Sequence, residues 1–208
     1  HASLAPSEMC IRDSIYTDPS WPVEPAVNPD MPQQCGLSIA LVFDMSNSIV
    51  DQGGVQKSKE AATKVVEGLT GTPTSIGIYN FSTDAPSYGL EALHATSVQD
   101  AAGADTVKSE IDKLKNPAGV PRGGTNWEGA LQQVVESGQQ YDVVYVITDG
   151  VPTTNQDFQD ATKSQFDYEG HKGDVGSIPH ESDLQKAIIQ ANLLKDADTR
   201  VVPLAINM

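Results

Sequence analysis

Residues 37–43, Leu-Ser-Ile-Ala-Leu-Val-Phe, are apolar at all but one position, and Asp44-Met45-Ser46-Asn47-Ser48 follows at once. A strand without a polar face must be covered on both sides, as happens inside a parallel sheet sandwiched by helices. The rest of the chain keeps that rhythm. Apolar spacing predicts a helix over 55–69, with Ala62, Val65, Val66 and Leu69 on one face, and then a strand over 75–81. Residues 87–93 read as a short antiparallel edge strand. Val107, Ile111 and Leu114 mark a modest helix, and Trp127, Ala130, Leu131, Val134 and Val135 a clearer one. A strand over 142–148 precedes an amphipathic helix carrying Leu184, Ala187, Ile188, Ala191 and Leu194, and a final strand covers 201–206. Pro203 inside that last strand is tolerated best at a sheet edge, because proline cannot donate to the ladder. Strand–helix alternation of this kind gives an α/β fold with a doubly wound, mostly parallel central sheet flanked by helices.

The chain has 208 residues, enough for one domain with an extension. Residues 1–36 form that extension, an arm without helical or alternating periodicity. Pro19, Pro22, Pro25, Pro29 and Pro32 predict an extended, polyproline-like path. Such an arm is either packed and tethered or a ligand for a proline-binding module. Both cysteines, Cys10 and Cys35, lie in it. A Cys10–Cys35 disulfide would tether the arm, at about 3 kcal/mol on the loop-entropy argument, and would require an oxidising compartment. Two free thiols are the alternative. Residues 37–208 form the domain, interrupted at 151–182 by a polar stretch too long for an ordinary connection.

A formal net charge of −15 argues against binding nucleic acid, whose phosphates would be repelled, and against anionic membrane surfaces. No apolar run approaches the roughly 20 residues of a membrane-spanning helix. His94, His171 and His180 lack metal-ligand spacing and read as loop or surface residues. Trp127 reads as a core anchor of its helix.

Three stretches carry the chemistry: Asp44-Met45-Ser46-Asn47-Ser48, Gly123-Gly124-Thr125-Asn126 and Thr148-Asp149-Gly150. The first and third end apolar strands, at the sheet edge where doubly wound folds bind ligands. Glycines before Thr125 permit a close backbone approach. Asp44, Ser46, Ser48, Thr125 and Asp149 offer only hard oxygen donors, a set that suits Mg²⁺ or Mn²⁺, is compatible with Ca²⁺, and does not suit zinc or copper. Hydroxyls donate weakly, so an ion held this way stays electrophilic. Mg²⁺ characteristically takes a last ligand from a partner, for which a carboxylate from another molecule is the natural group.

These residues resemble the metal-ion-dependent adhesion site of von Willebrand factor type A domains: Asp-x-Ser-x-Ser after the first strand, a distant Thr, and Asp-Gly after the fourth. The resemblance runs from about residue 37 to 208 and implies a Rossmann-like fold. It implies that Ser46, Ser48 and Thr125 touch the ion directly, while Asp44 and Asp149 act mostly through water. Gly-Gly-Thr-Asn-Trp-Glu and Thr-Asp-Gly-Val-Pro-Thr look similar to type A domains in tip adhesins of Gram-positive pili. That likeness implies a non-enzymatic adhesion domain, extracellular and at the cell surface, on a pilus or a cell-wall-anchored parent protein. Its partner would be a protein ligand, a host receptor or matrix component, caught through an acidic residue, with other pilus subunits as further partners. The family's fold continues past a fifth strand, so the resemblance implies that the last strand and helix are missing from this chain.

Two rival readings remain. One is a structural module whose metal only fastens loops. The other is an Mg²⁺-dependent phosphotransferase with Asp44 as nucleophile, which would want an acid two residues on; Ser46 stands there and cannot protonate a leaving group.

Overall fold

The computed structural model describes residues 23–32, 36–51, 53–88, 90–115, 123–156 and 179–206. Five strands, β1 (Ser38–Asp44), β2 (Ser75–Phe81), β3 (Leu93–Ser97), β4 (Val143–Thr148) and β5 (Arg200–Ala205), form one sheet in the order β3-β2-β1-β4-β5. The β1–β2, β1–β4 and β4–β5 pairs are parallel, and β3 runs antiparallel to β2. Strand order thus grows outward from β1 in one direction and then from β4 in the other. The reversal between neighbouring β1 and β4 is the switch point at which such sheets open a crevice. Asp44 ends one of those strands and Asp149 follows the other.

Alternation along each strand divides the core in two. Ile39, Leu41 and Phe43 face one layer with Ile76, Ile78, Val66, Val107 and Ile111. Their cover is α2 (Gly54–Leu69) and α3 (Ala101–Lys113). Ala40 and Val42 face the other layer with Tyr79, Phe81, Leu131, Val134 and Leu194, under α4 (Trp127–Glu136) and α5 (Glu181–Asp196). A short α1 (Asn47–Asp51) follows β1. Each fully buried large side chain contributes about 1.5–3 kcal/mol of burial free energy, so the two layers rather than surface ion pairs hold the sheet. Trp127 is partly buried and packs onto the second layer, an anchor as its spacing predicted.

Two local expectations fail. Residues 87, 88 and 90–92 are not in a strand; the antiparallel edge strand is Leu93–Ser97, so only Leu93 of the expected segment belongs to it. The Asn80 carboxamide intercepts the earlier segment, accepting from Ser87 N and Oγ at 2.8 Å and donating to Leu90 O at 3.2 Å. Those bonds hold Ser87 and Leu90 away from the sheet; a cis Ala85–Pro86 peptide precedes them, and Tyr88 lies at φ 54°. Val65 is the second case. It was expected on the buried face of its helix, yet it is 42% exposed. With Leu41, Leu69, Tyr145, Leu204 and Ile206 it lines an apolar groove of about 720 Å³ between α2 and the sheet. Among the described residues no element covers that groove. His94 is exposed on β3, a surface residue as expected.

The described part of the arm, residues 23–32, packs onto α5 and β5. Asn192 reads its backbone with both amide atoms: Oδ1 accepts from Ala26 N at 2.7 Å, and Nδ2 donates to Glu24 O at 2.8 Å. Lys195 Nζ donates to Ala26 O and Arg200 Nη1 to Pro29 O, each at 2.6 Å. Cys10, Cys35 and their expected disulfide lie outside the described residues.

Candidate metal centre

Asp44 closes β1 with its side chain wholly buried. One carboxylate oxygen, Oδ1, accepts the Ser46 N–H at 2.8 Å, a local turn bond that folds the chain back over the strand end. The other, Oδ2, accepts the Thr148 hydroxyl at 2.6 Å. Register explains that contact, because Phe43 pairs with Ile147 and the next step sets Asp44 beside Thr148. Ser46 Oγ and Ser48 Oγ are 3.1 Å apart, and Ser48 Oγ donates to Asp149 Oδ1 at 3.0 Å. Four of the five residues named from sequence therefore form one hydrogen-bonded chain across the β1–β4 switch point. Asp44 and Ser46 form its buried floor, and Ser48 stands exposed at its mouth.

Thr125 stands outside that hydrogen-bonded chain; its loop meets the loop after β1, and its backbone is tied to the segment after β4. Asn47 N donates to Gly123 O at 3.0 Å, locking the two loops together. The approach is so close that a Cβ on Gly123 would lie 2.1 Å from the Asn47 carboxamide carbon. A side chain at position 123 would have to turn the exposed Asn47 carboxamide aside. Thr125 N donates to Thr153 Oγ1 at 3.0 Å, and Thr125 O accepts from Thr153 N at 2.9 Å and Thr154 N at 3.3 Å. Asn126, fully buried, caps α4 by accepting from Gly129 N at 2.8 Å. Its Nδ2 donates to Thr83 O at 2.9 Å and to Gln156 Oε1 at 3.0 Å.

Electrostatics make the floor ready for a cation. Burial pushes the Asp44 carboxyl up to about 6 against the pull of hydrogen bonds from Thr148 and Ser46, and the nearby Asp149 charge pushes the same way. A divalent ion would relieve both causes at once. The donors are carboxylate and hydroxyl oxygens throughout, so the residues present fit Mg²⁺, Mn²⁺ or Ca²⁺. Among the described residues no three His, Cys, Asp or Glu side chains converge on one point, so a site here depends on its hydroxyls.

Sequence reasoning quoted Asn126, Thr148 and Thr153 within its motifs but gave them no role; the structure shows them bonding Gly129 and Thr83, Asp44, and Thr125, respectively. Thr148 carried a readable signal, as the last residue of a strand whose parallel neighbour ends in Asp44.

The sequence profile of the von Willebrand factor type A domain matches residues 38–169. The chain belongs to that family. No curated protein sequence is a significant match. Among solved structures, the pilus adhesin SpaC from Lactobacillus rhamnosus GG is similar at a TM-score of 0.56 and 17% identity, over 86% of this chain and 25% of that one. Proximal thread matrix protein 1 from the mussel byssus is similar at 0.53 and 18%, over 83% and 36%. This type A chain spans about a third or less of the length of those proteins, and at such identities the likeness is one of fold. Among the described residues no helix is long and apolar enough to cross a membrane.

Proposed function

We propose that this type A domain binds Mg²⁺ or Mn²⁺ at Asp44, Ser46, Ser48, Thr125 and Asp149, and uses the bound ion to capture an acidic group of a protein ligand. One observation carries the reading: the hydrogen-bonded chain Asp44–Ser46–Ser48–Asp149, buried at Asp44 and open at Ser48. When bound, the ion would supply a positive charge with a position left for an incoming carboxylate. The domain then belongs to a secreted or surface-displayed adhesion protein. The fold shared with a protein named as a pilus adhesin supports that setting, and other pilus subunits are candidate partners alongside host-surface or matrix proteins.

A second reading, in which the ion only fastens loops, draws on the way Asn47–Gly123 and Thr125–Thr153 already interlock three loops. One experiment separates them. Immobilised matrix proteins are probed with the chain in Mg²⁺ or Mn²⁺, with chelator, and with Asp149→Ala. Adhesion predicts capture in the metal arms alone and none for the variant. A fall in melting temperature on chelation, with no metal-dependent capture of any acidic ligand, would leave the fastening role.

A further inference from the structure

Beyond the five oxygen donors lies a wholly buried polar pair, Asn155 and Asp183, both 0% exposed. Asn155 Nδ2 donates to Asp183 Oδ1 at 2.7 Å, while Asp183 Oδ2 accepts the His180 N–H at 3.1 Å. Lys186 Nζ reaches Asn155 Oδ1 at 3.4 Å. An exposed aspartate could cap α5 equally well, so capping does not account for full burial of an amide and a carboxylate, which costs free energy unless every contact is good.

Their place along the chain accounts for it. Residues 149–156 act as a strut. Asp149 stands at its start, fixed by β4. Thr153 and Thr154 grip the Thr125 peptide groups. Gln156 bonds Glu128, Asn126 and Gln132 at 2.7, 3.0 and 3.0 Å, all on the loop and helix that carry Thr125. Those bonds tie the strut to Thr125. Asp183 sits on α5, a different element, and pins the strut's far end to it.

We propose that Asn155 and Asp183 are positioning residues of the metal centre, whose buried hydrogen bond keeps Thr125 and Asp149 at the separation one shared ion requires. The proposal rests on the metal-binding reading above. Neither residue touches the ion. Outer residues that orient metal ligands typically change affinity by about ten- to hundredfold when lost, and that is the effect expected here.

The test is Mn²⁺ titration of the whole chain, followed by electron paramagnetic resonance and calorimetry. Asn155→Ala and the isosteric Asp183→Asn are expected to weaken Mn²⁺ by about tenfold or more. Asn155→Asp combined with Asp183→Asn reverses donor and acceptor and is expected to recover most of the affinity. Asn192→Ala, which removes two arm contacts from the same helix, is the control: melting temperature falls and Mn²⁺ affinity stays. If Asn155→Ala does not fold, Asp183→Asn and the reversed pair carry the test. Wild-type affinity in the single variants, equal weakening by Asn192→Ala, or a reversed pair no better than the singles would each overturn the positioning role while the metal reading stands. A wild-type chain that takes up no Mn²⁺ removes the metal reading itself.

Discussion

A single buried carboxylate couples the stability of the fold to pH. The Asp44 carboxyl titrates near 6 when folded, against 3.8 for the unperturbed group, because burial disfavours its charged form. The folded state therefore binds this proton more tightly than the unfolded chain does. Above about pH 6 the ionised group is a penalty to the metal-free fold; the penalty shrinks as pH falls through 6 and vanishes below the unfolded value. Between pH 7 and 5 the relief amounts to ~1 kcal/mol, a rise of about 2–4 °C in the melting temperature of a domain this size. Calorimetry on metal-stripped protein at the two pH values checks it, with Asp44→Asn as the reference that must lack this increment. Saturating Mg²⁺ should reverse the trend, since the ion stabilises the charged form and protons compete with it. An identical pH response in Asp44→Asn would show that the buried carboxylate is not its source.

At the scale of elements, most of the architecture was legible because apolar spacing reports which faces need cover. Residues 37–43 read as a strand buried on both faces, and β1 alternates its side chains into two separate cores. The loops of the proposed metal centre stood out for a different reason: hard oxygen side chains gather at the ends of two apolar strands. What stayed hidden depended on contacts far apart in sequence. Asn80 capturing Ser87 and Leu90, and Asn155 meeting Asp183, leave no periodic trace. Gly77 is another such case. Nothing in Ser-Ile-Gly-Ile-Tyr-Asn-Phe says why β2 has glycine at its centre, yet a Cβ there would sit 2.3 Å from the Tyr141 hydroxyl and 3.2 Å from Leu93 O. That hydroxyl bonds Tyr79 at 2.9 Å, and the two rings pack edge to face at 6.0 Å. Gly77→Ala must displace a buried tyrosine, at about 1–3 kcal/mol, the usual range for overpacking. Chemical denaturation measures the loss. Tyr141→Phe, which removes the obstructing oxygen, should recover part of it in the double variant, and strict additivity would refute the steric account.

At the scale of the whole molecule, the described part of the arm guards one side of the sheet by packing onto α5 and β5. Among the described residues β5 is the outer strand of the sheet, and an open strand edge invites pairing with other chains. Two features blunt it. Asn28 occupies the outward peptide groups of Val201 with its side-chain amide, accepting from Val201 N at 2.8 Å and donating to Val201 O at 3.1 Å. Two residues on, Pro203 has no N–H to offer. The arm thus satisfies the edge with one side chain, while its own prolines keep it from extending the sheet. Asn28→Ala removes both bonds and leaves Val201 to water or to another strand, a loss of about 1–3 kcal/mol for paired polar groups left unmade. The expected outcome is a lower melting temperature that depends on protein concentration, together with a new associated species in sedimentation velocity at micromolar protein. Arg200→Gln, which weakens the same arm at Pro29 without opening Val201, should lower stability without association. Association in Arg200→Gln to the same degree would place the guard in the arm's general packing rather than in the Asn28 amide.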